Sequence, residues 1–303
     1  MYNSLFLQAM SLELISARLE MLLLCHILNP LWQGRAARHA TRRSREYKVL
    51  SRYFLKHNIQ ALSSVAETEP EKSGTIRIWT MWLQGEESAP ALVKSCLASI
   101  RRFYPDSLTV LDSSNLEEYL SLPETIMEKY RKGLIRNCHF ADICRIELLH
   151  RYGGIWLDAT CFMTSPIPQT YTDMDFFMYS TGDTFVQNCF IAARKGAWLL
   201  EGWRAMVLDY WMKEHSAISY FMHQAMFRTM VENSPEGTAH YSGMPITDQG
   251  PTHRIWYSCA DDPFDSRLID ELAGEGYFFQ KTAWKDNSTP VPGSFREWIL
   301  NSH

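Results

Sequence analysis

A chain of 303 residues can form one large domain or two small ones, and either can bury a proper core. Its 46% hydrophobic and 21% charged residues are those of an ordinary soluble globular protein. The net charge is −4, and the seven cysteines form neither a C-x-x-C pair nor a finger-like Cys/His spacing, which argues against a disulfide framework and a zinc site and for a reducing, cytosolic compartment.

The chain opens on a greasy stretch, "LFLQAMSLELISARLEMLLLCHIL", that Glu13, Arg18 and Glu20 interrupt. No uncharged run reaches the ~18 residues of a spanning helix, and no positive residue precedes the stretch as in a secretory signal. It reads as a helix docked on the main domain or as one lying in a membrane interface. From Arg35 to Lys56 follow eight Lys/Arg against the single acid Glu46, a net of +7 that leaves −11 for the rest. Such a run is either a solvated helix face or a patch for anionic lipid headgroups on the inner face of the cell membrane. Nucleic acid comes last, because no aromatic-interleaved basic module accompanies the run. Residues 1–70 thus read as a helical, partly basic arm, and "ETEPEKSG" at 67–74 as the linker to a main domain at 75–303.

In that domain "TIRIWTMWLQG" is β-rich and ends in a glycine loop, and "APALVKSCLASIRRFYP" has helical spacing up to Pro105. "SLTVLD" reads as a second strand and "NLEEYL" as a short helix. Helices are expected at about 124–131 and 138–151 and a strand at 154–158, with two more strands in "DFFMYS" and "NCFIAAR". The stretch 196–232 reads as helical and the region from 240 onward as irregular. Strands alternating with helices predict an α/β domain with a largely parallel sheet.

The densest chemistry lies in "HFADICRIELLHRYGGIWLDAT", residues 139–160. Helical spacing puts Asp142, Arg145 and Leu149 on one side. Taken alone, Asp142 is equally a first-turn acid favoured by the helix dipole, with Arg145 its surface partner. Gly153-Gly154 then stops the helix, and three apolar residues deliver Asp158 to the carboxyl end of a strand, where ligands sit in open α/β sheets.

These blocks, with "IWTMWLQGEESAP", "QNCFIAARKG" and "SYFMHQAMF" in the same order, resemble DXD-type glycosyltransferases over about residues 76–285. The most similar group is the bacterial capsular polysaccharide synthesis family, related to Och-like mannosyltransferases and clostridial glucosylating toxins. The resemblance implies a GT-A fold, a Rossmann-like domain for a nucleotide-diphosphate sugar, and hexosyl transfer with retention to a capsular or lipopolysaccharide-type glycan or its lipid-linked precursor. By position Trp82 matches the tryptophan that stacks on the base, or is a buried strand aromatic. Asp142 and Arg145 match the pair on ribose and diphosphate, and Asp158 the first acid of DXD. A planar, always-charged arginine suits phosphate.

A divalent Mn or Mg ion is the cofactor this resemblance implies, because such ions take oxygen ligands and stabilise a leaving diphosphate. The sequence departs from the strict motif: it reads Asp158-Ala159-Thr160, and Thr160 offers only one neutral oxygen. Either Asp158 and the diphosphate hold the ion with water, or basic residues replace it. Lys281 and Lys285 in "QKTAWK" resemble the family's closing lysines and are otherwise surface lysines. Asn188 is a donor-sugar contact or turn chemistry, His223 a satisfied core histidine alongside Tyr220 and Phe227, and Asp248 in "DQGPT" a candidate base. The alternative is a non-catalytic sugar-nucleotide-binding protein of a polysaccharide assembly complex, and the blandest reading is an α/β interaction protein whose acids are structural.

Overall fold

Ser11 opens the first helix by accepting the Leu14 N–H on its Oγ at 3.1 Å, the usual service of a serine at an N-cap. The computed structural model describes residues 11–27, 35–72, 76–180 and 186–302, so the first part of the greasy stretch and part of the expected linker lie outside the described residues. In chain order the main elements are α1 (Leu12–Leu22), α2 (Arg35–His57), β1 (Ile78–Met81), α3 (Ala91–Phe103), β2 (Leu108–Leu111), α4 (Glu124–Arg131) and α5 (Asn137–Tyr152). There follow β3 (Gly154–Leu157), β4 (Cys161–Met163), β5 (Phe176–Phe177), β6 (Phe190–Ala193), α6 (Trp198–Lys213), α7 (Met222–Asn233) and α8 (Pro235–Ser242), then α9 (Ser266–Gly274), β7 (Phe279–Lys281) and α10 (Phe295–Leu300). None of these helices is long and apolar enough to cross a membrane.

The chain divides into two units, a helical one of residues 1–68, 122–146 and 198–243 and a sheet unit of 69–121, 147–197 and 244–303. Helix α5 gives residues 137–146 to the first and 147–152 to the second.

In the helical unit α7 packs against α2, α6 and α8. Its core is aromatic: Phe54, Trp203, Tyr210, Trp211 and Phe227 are fully buried. Lys129 is buried there because its ammonium donates to the carbonyls of Trp211 at 2.6 Å and of Met212 and Glu214 at 3.0 Å. Those are acceptors left over at a helix carboxyl end, where a cation is also favoured by the dipole. The same end breaks the stretch read as one helix from 196 to 232 into α6 and α7. The Glu214 carboxylate accepts the hydroxyls of Tyr53 and Ser11 at 2.8 Å, and Tyr210 donates to the Ser216 carbonyl at 2.7 Å, which holds the connection out of helical geometry.

The sheet unit carries a five-stranded sheet in the order β2-β1-β3-β6-β5 and a two-stranded one of β4 and β7. Strand β1 runs parallel to β2 and β3, whereas β3–β6 and β6–β5 are antiparallel. The expectation of a largely parallel sheet therefore holds for three strands, and the fold is mixed α/β. The physical reason is connection length. Parallel neighbours need a crossover such as α3, whereas the chain after β5 turns back at an antiparallel bridge from Ser180 to Val186.

The region beyond 240 is not irregular. Asp265 caps α9 by accepting the Arg267 N–H at 3.0 Å, and Ser294 caps α10 by accepting the Glu297 N–H at 3.3 Å. Strand β7 has no local signal, because its definition is its pairing with β4, itself unforeseen.

Candidate functional site

The sheet unit places Asp158 directly after β3. The turn into β3 depends on two glycines. Gly153 (φ +64°) ends α5, with its N–H on the Leu149 carbonyl at 2.7 Å, and at Gly154 (φ +101°) a Cβ would lie 2.5 Å from the Arg77 carbonyl oxygen. The three apolar residues that follow are buried, and Asp158 then leaves the sheet at its carboxyl end. Its N–H donates to the Cys189 carbonyl and its carbonyl accepts the Cys161 N–H, both at 2.8 Å, which fixes the turn from β3 into β4.

Antiparallel pairing sets Cys161 opposite Lys281. In that register the Lys281 ammonium donates to Asp158 Oδ2 at 2.8 Å and to Thr160 Oγ1 at 2.5 Å, and Trp156 Nε1 donates to Asp158 Oδ1 at 2.8 Å. The Lys281 and Asp158 side chains keep 19% and 23% of their surface accessible, so the pair is screened from bulk water yet reachable. Burial alone would lower the Lys281 pKa, but the Asp158 carboxylate together with the neighbouring Cys161 and Cys189 more than offsets it and holds the ammonium well above its usual value.

Trp82 follows β1 at the same kind of strand end. Its N–H donates to the Leu111 carbonyl at 2.9 Å, its ring meets Trp284 edge-on at 5.5 Å, and its buried indole N–H has no partner among the described residues. Lys285 is exposed and its ammonium lies 5.3 Å over the Trp284 ring, making no ion pair among the described residues. Asn188 is buried just ahead of β6, next to the Cys189 whose carbonyl anchors Asp158. Asp248 is exposed and caps a turn by accepting the Gly250 N–H at 3.1 Å. A cavity of about 460 Å³ in this unit borders Gly153, Gly154 and Lys195 at the amino end of β3, the far end of the strand from Asp158.

Asp142 and Arg145 lie in the helical unit. They pair at 3.1 Å one turn apart on α5, with side chains only 12% and 7% exposed. The reading of a surface ion pair is therefore replaced: the pair is buried. Around it stand His139 Nδ1 at 3.6 Å and His223 Nε2 at 4.0 Å from Asp142 Oδ2, and Trp211 Nε1 donates to His223 at 3.5 Å. Burial opposes charge on Asp142, but His223, when protonated, and the permanently charged Arg145 outweigh it and hold the carboxyl below the usual range. Burial pushes the His223 pKa down to about 4 against the pull of Asp142, so at neutral pH the ring is uncharged. His223 is a core histidine as read, but not a satisfied one, for its Nδ1 and both ring nitrogens of His139 lack hydrogen-bond partners among the described residues. Tyr220, read on the same face, is 63% exposed. Sequence reading passed over His139, although its place three residues before Asp142 was signal enough.

Two groups bear on metal binding. Among the described residues, His139, Asp142 and His223 bring one ligand atom each within 4.8 Å of the others, but the Arg145 guanidinium already sits 3.1 Å from the carboxylate. The D-A-T residues do not fit a divalent ion in this arrangement, because Lys281 occupies Asp158 Oδ2 and Thr160 Oγ1 with a fixed positive charge.

The family model described as capsular polysaccharide synthesis protein matches residues 32–297. Over 185 residues the chain is 25% identical to the glycosyltransferase afumC of Aspergillus fumigatus, covering 54% of this chain and 47% of that protein. It is 27% identical over 170 residues to the probable glycosyltransferase FCK3 of Fusarium pseudograminearum, covering 50% and 43%. With the O-glycosyltransferase PaGT of Phomopsis amygdali it shares 28% over 180 residues, covering 52% and 43%. The matches thus span under half the length of these fungal relatives. No solved structure matches the chain.

Proposed function

The chain belongs to the capsular polysaccharide synthesis protein family, and from that premise we propose that it is a glycosyltransferase acting on a nucleotide-diphosphate sugar. The observation that carries the reading is the Lys281 ammonium bridging Asp158 and Thr160 at the carboxyl end of β3. In the proposed reaction a hydroxyl of a glycan or lipid-linked glycan forms a bond to the anomeric carbon. The bond from that carbon to the diphosphate breaks, the electron pair leaves with the diphosphate, and the hydroxyl proton passes to the departing phosphate oxygen. Attack on the face that the diphosphate leaves retains configuration and transfers a hexosyl group without a separate carboxylate base.

Negative charge grows on the leaving diphosphate, and a preorganised cation facing it is worth several kcal/mol, about the loss seen when such a donor is removed. Lys281 supplies that cation in this proposal, held by Asp158 rather than by a metal, so turnover does not require Mn or Mg. Trp82 stacks on the base of the donor and Asn188 meets its sugar; these roles rest on the motif match. The setting is cytosolic, in keeping with seven cysteines that are all free thiols.

The departure at Thr160 favours one second reading, a sugar-nucleotide binder that has lost turnover. Nucleotide release from UDP- and GDP-sugars, with Mn or with EDTA, separates the two. Release that survives EDTA and falls about 100-fold in Lys281→Ala is the expected result. Abolition by EDTA would put a metal back at Asp158. Tight donor binding without release, even with acceptors added, would establish the binder, and no donor binding would end both readings.

A further inference from the structure

Helix α1 and the helical turn that continues it from Leu23 are apolar on two sides, and only one of them is used. Leu14 and Cys25 are buried against the helical unit. Leu12, Leu19 and Leu23 recur at helical spacing on the opposite side and are 84%, 61% and 45% exposed, with Leu22 beside them at 52%. A contiguous leucine stripe turned to water is not a packing device and calls for an occupant.

Charge identifies that occupant. The acids of α1 are neutralised by α2, since Glu13 pairs with Lys56 and His57 and Glu20 pairs with Arg52. Farther along α2, Arg43 and Lys48 are exposed and make no ion pair among the described residues. Along the other edge of the stripe, with Leu22 on its lip, opens a pocket of about 390 Å³ lined by Arg18, Arg42 and Arg136. Its one acid, Glu46, accepts the Ser219 hydroxyl. Arg18 is oriented by a hydrogen bond to the Ala217 carbonyl.

We propose that this face of the helical unit docks on an anionic bilayer, with the α1 leucines entering the headgroup–acyl boundary and the arginine pocket taking lipid phosphates. Apolar side chains beside guanidinium groups are the combination an interfacial helix uses, and neither half alone gives stable attachment. Arginine is the residue for it, because its planar fork matches phosphate oxygens. A second copy fits less well, for a twofold pair would press the same arginines against each other.

Sedimentation of the full chain with vesicles of phosphatidylcholine alone, and of phosphatidylcholine with one-third phosphatidylglycerol, tests this at low and high salt. The expected result is binding to the anionic vesicles about tenfold tighter than to the neutral ones and weakened by salt. Leu19→Glu and, separately, Arg136→Glu each lower it about tenfold, with unchanged circular dichroism since both positions are exposed. A wild-type chain that stays in the supernatant with anionic vesicles overturns the proposal. So does equal binding to both vesicle types, or binding unaffected by both substitutions. A dimer that Leu19→Glu splits while no vesicle is bound would assign the stripe to a second copy instead.

Discussion

Asp142 and Asp158 each face a cation, and the two pairs are held in opposite ways. Asp142 meets Arg145 one helical turn away, deep in the helical unit, beside His139 and His223. Asp158 meets Lys281 across 123 positions of chain, at a strand end where about a fifth of each side chain remains accessible. The buried pair is committed to its partner and to the surrounding core. The strand-end pair has surface to offer a ligand and a lysine whose charge is locked on. The same two residue classes thus form a buried pair in one place and a partly accessible one in the other.

The sharpest way to break this contrast is to remove each acid in turn. Asp142→Ala takes the carboxylate from a guanidinium buried in low dielectric and is expected to lower unfolding free energy by about 3–5 kcal/mol in urea melts. If its melt overlays the wild type, Asp142 is not structural. The histidines give the next largest effect. The unfolded His223 takes a proton near its ordinary pKa of about 6.5, while the folded one, facing Asp142, His139, Arg145 and Trp211, resists until about 4. The unfolded state binds more protons over that window, so stability falls as pH drops through it, by up to about 3 kcal/mol. Urea midpoints at pH 7 and pH 4.5 check this, and His223→Gln flattens the curve.

At the strand end the signature reverses. Asp158→Asn keeps an acceptor for Lys281 and is expected to cost less stability than Asp142→Ala while nucleotide release falls about 100-fold. A stability loss matching that of Asp142→Ala would erase the distinction between the two sites. The smallest effect is assigned to the tryptophans. Trp284→Ala removes an edge-on partner of Trp82 worth about 1 kcal/mol and raises the KM for the donor several-fold without changing kcat.

Legibility followed the same divide. Asp142 and Arg145 stand out in the sequence because a helix puts positions three apart side by side. Asp158 stands out because an apolar strand ends in a charge. What was missed shares one property: each contact joins residues far apart in the chain. Strand β4 and its partner β7, the antiparallel run of β5 and β6, and the end of α6 at Lys129 and Glu214 carry no periodic signal of their own. Burial was misjudged for the same reason, since the exposure of an ion pair on a helix depends on what packs over it.

By itself the sequence determined the alternation of strand and helix, the double-glycine stop before β3, the acid at the end of that strand and the family. Those follow from backbone preferences and periodicity, which act within a few residues. Tertiary structure alone decided that Lys281 comes to lie on Asp158 and Thr160, that His139 and His223 flank Asp142, and that the outer leucines of α1 remain in water. These depend on strand register and on which face of a helix finds a neighbour, and such choices are made by burying apolar surface across the whole chain rather than by any short stretch of it.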